Sequence, residues 1–87
     1  MTDTTDGLDR ALELLEAGDW QHAHEIVQGD KSMLASWLHG IVHTLEGDLD
    51  NARGWYGRTD RAFRGPEAVQ EELAEARRAL AERSPAA

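Results

Sequence analysis

The sequence predicts a small all-α domain of about five helices, in which two consecutive helical hairpins are followed by a C-terminal capping helix. Apolar side chains recur every three to four positions along most of the chain. This spacing is interrupted by two identical residue pairs, Gly18-Asp19 and Gly47-Asp48. The segments around the two pairs are alike, and they lie 29 positions apart. We therefore expect one helical domain at 7–83, after a disordered lead at 1–6 and before a frayed tail at 84–87.

The first predicted hairpin runs from Leu8 to Val27. Asp6 is a suitable N-cap for its first helix, and apolar residues then follow at helical spacing. Gly18 ends this helix because glycine accepts the positive φ angle that a helix C-terminus often needs. Asp19 caps the second helix, which continues to the break at 29–30.

The second predicted hairpin repeats this arrangement. Ser32 caps a third helix whose apolar stripe consists of Leu34, Leu38, Ile41 and Leu45. Gly40 within that helix costs about 1 kcal/mol relative to alanine, which indicates a close approach by another backbone. After Gly47 and Asp48, a fourth helix is expected to present its apolar side as far as Phe63, with irregular last turns because Gly54 and Gly57 weaken it.

The final helix is predicted after Gly65-Pro66, since proline fits the first helical turn. Its apolar positions repeat at helical spacing and are Val69, Leu73, Ala76 and Leu80. With two repeated units before it, this helix acts as the cap of the domain.

The repeated Gly-Asp-x-x-x-Ala, together with Trp37-Leu38-x-Gly40 and the later Trp55-Tyr56, resembles the tetratricopeptide repeat. The resemblance covers residues 8–63 and implies stacked helix pairs that bind a protein partner. The period is shorter than the usual 34 residues, and no proline closes either unit.

A second resemblance covers residues 19–58. The string D-W-x-x-A-H-E-I-V-Q, followed by W-L-H-G-x-x-H-x-x-E-G-D-L-D-N-A-R-x-W-Y-x-R, is similar to a group of small, largely uncharacterised bacterial proteins. It implies no particular activity. It does imply that the motif residues belong together, namely His24, His39, His43, Glu46, Asn51, Trp55 and Tyr56.

Composition narrows the possible functions. Seventeen acidic and nine basic side chains give a formal net charge of −8, so the chain repels phosphate backbones and anionic lipid. We expect neither a nucleic-acid nor a membrane partner. The absence of cysteine excludes disulfides, thiol catalysis and cysteine-ligated metals, and it suits a cytoplasmic protein.

The four histidines all fall in the predicted hairpins. His39, His43 and Glu46 project from one side of the third helix, where His39 and Glu46 border the apolar stripe and His43 lies further out. His24 borders the stripe of the second helix, so packing of the helices can bring it up to His39. His22 points away and is expected to be a surface residue.

Three interpretations of this cluster are open. Neutral imidazoles and a carboxylate can bind a divalent transition metal such as Zn²⁺, Ni²⁺ or Fe²⁺. The same groups can bind a non-metal ligand or move protons. They can also be structural residues that donate hydrogen bonds to neighbours. The aromatic residues Trp20, Trp37, Trp55 and Tyr56 are likewise either walls of a pocket, with Asn51 as a polar contact, or core, and helical spacing in a small domain favours core.

Two functions follow from these observations. The favoured one is an interaction module that binds a protein partner or itself, most simply as a homodimer, because two hairpins and one helix leave apolar surface uncovered. The alternative is a small ligand- or metal-binding protein, with or without enzymatic activity, whose site is centred on His24, His39, His43 and Glu46.

Overall fold

A computed structural model describes residues 6–83. This part of the chain forms five α-helices and contains no strand, which confirms the predicted all-α fold. The helices are α1 (Asp6–Glu16), α2 (Trp20–Val27), α3 (Met33–Glu46), α4 (Leu49–Tyr56) and α5 (Val69–Arg83), and a 3₁₀ turn at Pro66–Ala68 leads into α5. The predicted lead at 1–6 and tail at 84–87 lie outside the described residues, apart from Asp6, at which α1 begins.

The helices pack in the order in which they occur. Helix α1 packs on α2 and α3 packs on α4, so the two predicted hairpins are present, and α2 joins them by packing on α3. Helix α5 returns to lie against α1 and α3. The described domain measures 38 × 23 × 22 Å. None of the helices in this part of the chain is long and apolar enough to cross a membrane.

The Gly-Asp pairs form the same turn in both hairpins. Gly18 and Gly47 have φ angles of 85° and 95°, in the left-handed region that favours glycine. The carboxylates of Asp19 and Asp48 each accept a hydrogen bond from the backbone N–H three residues later. Ser32 caps α3 in the same way. The sequence repeat therefore corresponds to a repeated turn, in which a glycine ends one helix and an aspartate caps the next.

Helix α4 is shorter than predicted. It ends at Tyr56, and Phe63 lies in the following loop with its ring edge-to-face against Tyr56, 5.4 Å between centroids. The prediction that Phe63 extends the apolar side of the helix was therefore wrong. The hydroxyl of Thr59 donates to the carbonyl of Tyr56 and accepts from the backbone N–H of Arg61, so a side chain replaces the next helical turn.

Gly40 is needed for a close approach, but chiefly by a ring rather than by a backbone. A Cβ at this position would lie 2.6 Å from Cδ1 of Tyr56, whereas the carbonyl oxygen of Ala52 would be 3.5 Å away. The missing side chain lets the Tyr56 ring approach α3 closely, and this contact sets the spacing of the second hairpin.

A buried carboxylate joins α5 to the second hairpin. Glu72 is 1% exposed, and its Oε1 accepts hydrogen bonds from Trp37 Nε1 at 2.9 Å and from the hydroxyl of Tyr56 at 2.6 Å. Burial and the hydrogen bond to Glu72 raise the pKa of Tyr56. The burial of Glu72 was not predicted from the sequence, although its position three residues after Val69 places it beside the apolar stripe of α5.

Candidate metal site

Three imidazoles from two hairpins converge on one place. His39 and His43 lie one turn apart on α3, and His24 reaches them from α2. The ring centroids are 4.8 Å apart for His24 and His39, 5.3 Å for His24 and His43, and 5.0 Å for His39 and His43. One ring nitrogen of each residue lies within 4.8 Å of the other two. The predicted histidine cluster is thus confirmed, and we call these three residues the histidine triad.

The triad is more buried than the sequence predicted. His39 is 4% exposed and His43 is 8% exposed, while His24 is half-buried. The prediction that His43 lies further out from the core was wrong. Helix α3 is covered by α2, α4 and α5 together, so its buried face is wider than one apolar stripe.

His39 has a nitrogen with no hydrogen bond. Its Nδ1 is buried and finds no partner among residues 6–83. Burial, and then the neighbouring His43, His24 and Arg58, lower the pKa of His39 to about 4. The imidazole is therefore neutral at pH 7 and has a lone pair available for a ligand.

His43 is oriented by a carboxylate. Its Nδ1 lies 2.7 Å from Oε1 of Glu46, one turn further along α3. A carboxylate that accepts from one ring nitrogen fixes the tautomer and leaves the other nitrogen as a donor to a metal. Glu46 was predicted as a flanking member of the site, and its observed contact is through His43. Asp48 is also near His43 and Glu46, but its carboxylate caps α4.

Trp55 covers the triad on the side of α4. Its ring stacks on His39, with 3.7 Å between centroids and 11° between planes. The guanidinium of Arg58 lies 4.6 Å from the centroid of the Trp55 ring. Trp55 therefore contacts the triad through His39 and supports that ring.

Two residues of the predicted set make their contacts elsewhere. The amide of Asn51 donates to Asp48 at 3.4 Å, within the cap of α4. The hydroxyl of Tyr56 donates to Glu72.

Among the aromatics, Trp37 and Tyr56 are buried in the core, and Trp20 packs against it. His22 is exposed and its Nδ1 pairs with Asp19 at 2.8 Å.

The triad has the donor set of an open transition-metal site. Three imidazole nitrogens bind Zn²⁺ at about 2.0–2.1 Å and leave a fourth tetrahedral position for water or another ligand. Tetrahedral geometry at that bond length places the nitrogens roughly 3.3 Å apart. The donor nitrogens of the triad lie within 4.8 Å of one another. Rotation of the side chains can bring them to the shorter spacing.

Comparison of the chain with protein-family models, with curated proteins and with solved structures finds no match. The two resemblances therefore stay predictions.

Proposed function

We propose that this protein binds one divalent transition metal, of the class of Zn²⁺, Ni²⁺ or Fe²⁺, through His24, His39 and His43. The observation that carries the proposal is the convergence of three imidazoles from two hairpins, with one ring nitrogen of each within 4.8 Å of the other two. Helical spacing alone accounts for the pair on α3. It does not account for His24 arriving from a different hairpin.

The unsatisfied nitrogen of His39 supports a ligand over a purely structural role. A buried polar atom without a hydrogen bond costs about 1–3 kcal/mol. A structural histidine in a core normally removes that cost by bonding to a carbonyl or carboxylate, as His43 does with Glu46. A metal would satisfy His39 and use the lone pair that its lowered pKa keeps free.

The proposal predicts a metal-dependent melting temperature. Untagged protein, stripped with a chelator, is melted with and without Zn²⁺, Ni²⁺ or Fe²⁺, and binding is measured by calorimetric titration. Because metal binds the folded triad, a concentration of about 100 times Kd should add about 2.7 kcal/mol to the free energy of unfolding. His39→Ala should abolish the metal-induced shift.

His22→Ala is the matched control, since His22 is an exposed histidine on the same helix as His24. It should leave both the titration and the metal-induced shift as in the parent. A parent melting temperature that is the same with every metal would contradict the proposal.

The favoured prediction from sequence, an interaction module that binds a partner protein or a second copy, stays a prediction. A shallow apolar groove between α3 and α5 bears on it, and its lining includes Met33, Leu34, Trp37 and Ala79. No residue of the triad lines this groove. Metal binding and self-association can therefore be tested separately.

A further inference from the structure

We propose that the triad holds its metal as exchangeable cargo and passes it to a chelating acceptor, with His24 as the ligand that leaves. The inference rests on the proposed function and goes further by naming the partner class. The acceptor is a molecule that presents its own nitrogen or sulfur donors to the metal.

The three ligands differ in how firmly the fold holds them. His39 and His43 are buried side by side on the 14-residue helix α3. The ring of Trp55 stacks on His39, and the carboxylate of Glu46 pairs with Nδ1 of His43. His24 is half-buried on the eight-residue helix α2, and no hydrogen bond to its ring is formed within residues 6–83. It is the ligand that can move with the least disturbance.

The triad lies away from three cavities on the described domain and beside an exposed carboxylate. Three cavities on the described domain are lined by other residues, and none of the three includes a member of the triad. The open coordination position is therefore not at the base of one of these cavities. Glu46, which pairs with His43, is acidic and exposed, and its charge attracts the incoming cation.

The exchange step involves only lone pairs. A donor nitrogen or thiolate of the acceptor forms a bond to the metal at the open position. The bond from the metal to His24 then breaks, and its electron pair stays on the imidazole. The metal remains divalent, so no oxidant or reductant is needed. Further acceptor donors then replace His39 and His43, which leaves the protein as it was before loading.

Transfer kinetics test this step directly. Protein loaded with Zn²⁺ is mixed with an excess of the chromogenic chelator pyridylazoresorcinol, and formation of the zinc–chelator complex is followed. If the acceptor attacks the bound metal, the observed rate should rise in proportion to chelator concentration over at least a tenfold range. A rate independent of chelator concentration would show that Zn²⁺ leaves before the acceptor arrives, and this would overturn the inference.

A shielding variant tests whether attack occurs beside His24. The side chain of residue 28 leans back over position 24 on a helix, and Gln28 is exposed. Gln28→Trp should slow transfer at least fivefold while leaving the Zn²⁺ dissociation constant within twofold. His22→Trp places the same bulk at an exposed position on the opposite side of α2, two residues before His24, and should transfer at the parent rate.

Different results would refute metal binding and exchange at His24. Protein that binds no metal refutes the proposed function. Protein that binds Zn²⁺ tightly, but whose Gln28→Trp variant transfers as fast as the parent, refutes only the exchange at His24.

Discussion

At the scale of single residues, two adjacent buried positions of α3 hold residues other than apolar ones, and packing explains only one of them. Gly40 makes room for the ring of Tyr56. The neighbouring residue, His39, brings an imidazole into a buried place where an apolar side chain would pack without an unsatisfied nitrogen. The first exception has an explanation within the fold, because it allows α4 to pack. The second has none within the described contacts, which supports the proposal that His39 binds a ligand.

The first prediction compares two glycines. Gly40→Ala should lower the free energy of unfolding by about 1–3 kcal/mol, because its Cβ would meet the Tyr56 ring at 2.6 Å. The ring cannot easily move, since its hydroxyl is bonded to the buried Glu72. Chemical denaturation monitored by circular dichroism measures the effect.

Gly54→Ala is the control for helix propensity. Gly54 lies in α4, and a Cβ there would meet no atom within 4 Å. This substitution should raise stability by roughly 0.5–1 kcal/mol. If both variants gain stability, the contact between Gly40 and Tyr56 is not as tight as the distance indicates.

At the scale of helices, Glu72 links three elements through one oxygen. Trp37 from α3 and Tyr56 from α4 both donate to Oε1, on a side chain of α5. Oε2 of the same carboxylate is buried without a partner among residues 6–83. The arrangement fixes the register of α5 against the second hairpin, since sliding the helix by one residue would leave two buried donors unpaired.

The second prediction concerns this link. Glu72→Ala should cost about 2–4 kcal/mol, because it leaves the donors of Trp37 and Tyr56 unsatisfied and opens a cavity. Glu72→Gln keeps an acceptor oxygen and should cost less. Urea denaturation of both variants gives the comparison.

Glu71→Ala is the matched control, since Glu71 is the preceding residue and its side chain is 68% exposed in a pair with Arg64. Its effect should stay within about 0.5 kcal/mol. Equal losses for Glu71→Ala and Glu72→Ala would show that the two donors do not depend on the buried carboxylate.

At the scale of the whole molecule, the parts that the sequence predicted well are those specified by local chemistry. The turns at Gly18 and Gly47 and the caps at Asp19 and Asp48 depend on residues within a few positions, so they could be identified without knowing the fold. The end of α4 depends on the side chain of Thr59 accepting and donating in a turn, which helical periodicity does not indicate.

The histidine cluster of the candidate site was predictable from the sequence, but its shape was not. Spacing placed His39, His43 and Glu46 on one side of α3, and packing of α2 on α3 brought in His24. The burial of His43 and the stacking of Trp55 on His39 depend on how α2, α4 and α5 share the surface of α3. Glu72 was missed because a charged residue beside an apolar stripe is usually solvated.

The last prediction is self-association of the whole domain. Met33, at the start of α3, is 55% exposed and forms part of the apolar groove with Leu34, Trp37 and Ala79. In a symmetric dimer the same patch serves both copies, so Met33 of one chain can cover the groove of the other. Sedimentation at about 100 μM should then detect dimer. Each copy carries a formal net charge of −8, so screening of the repulsion by 0.5 M salt should strengthen the dimer. Met33→Glu should weaken it at least tenfold. Gln70→Glu adds the same charge at an exposed position on α5 and should have a much smaller effect. Monomer at every concentration and salt, or equal effects of the two substitutions, would contradict association through this groove.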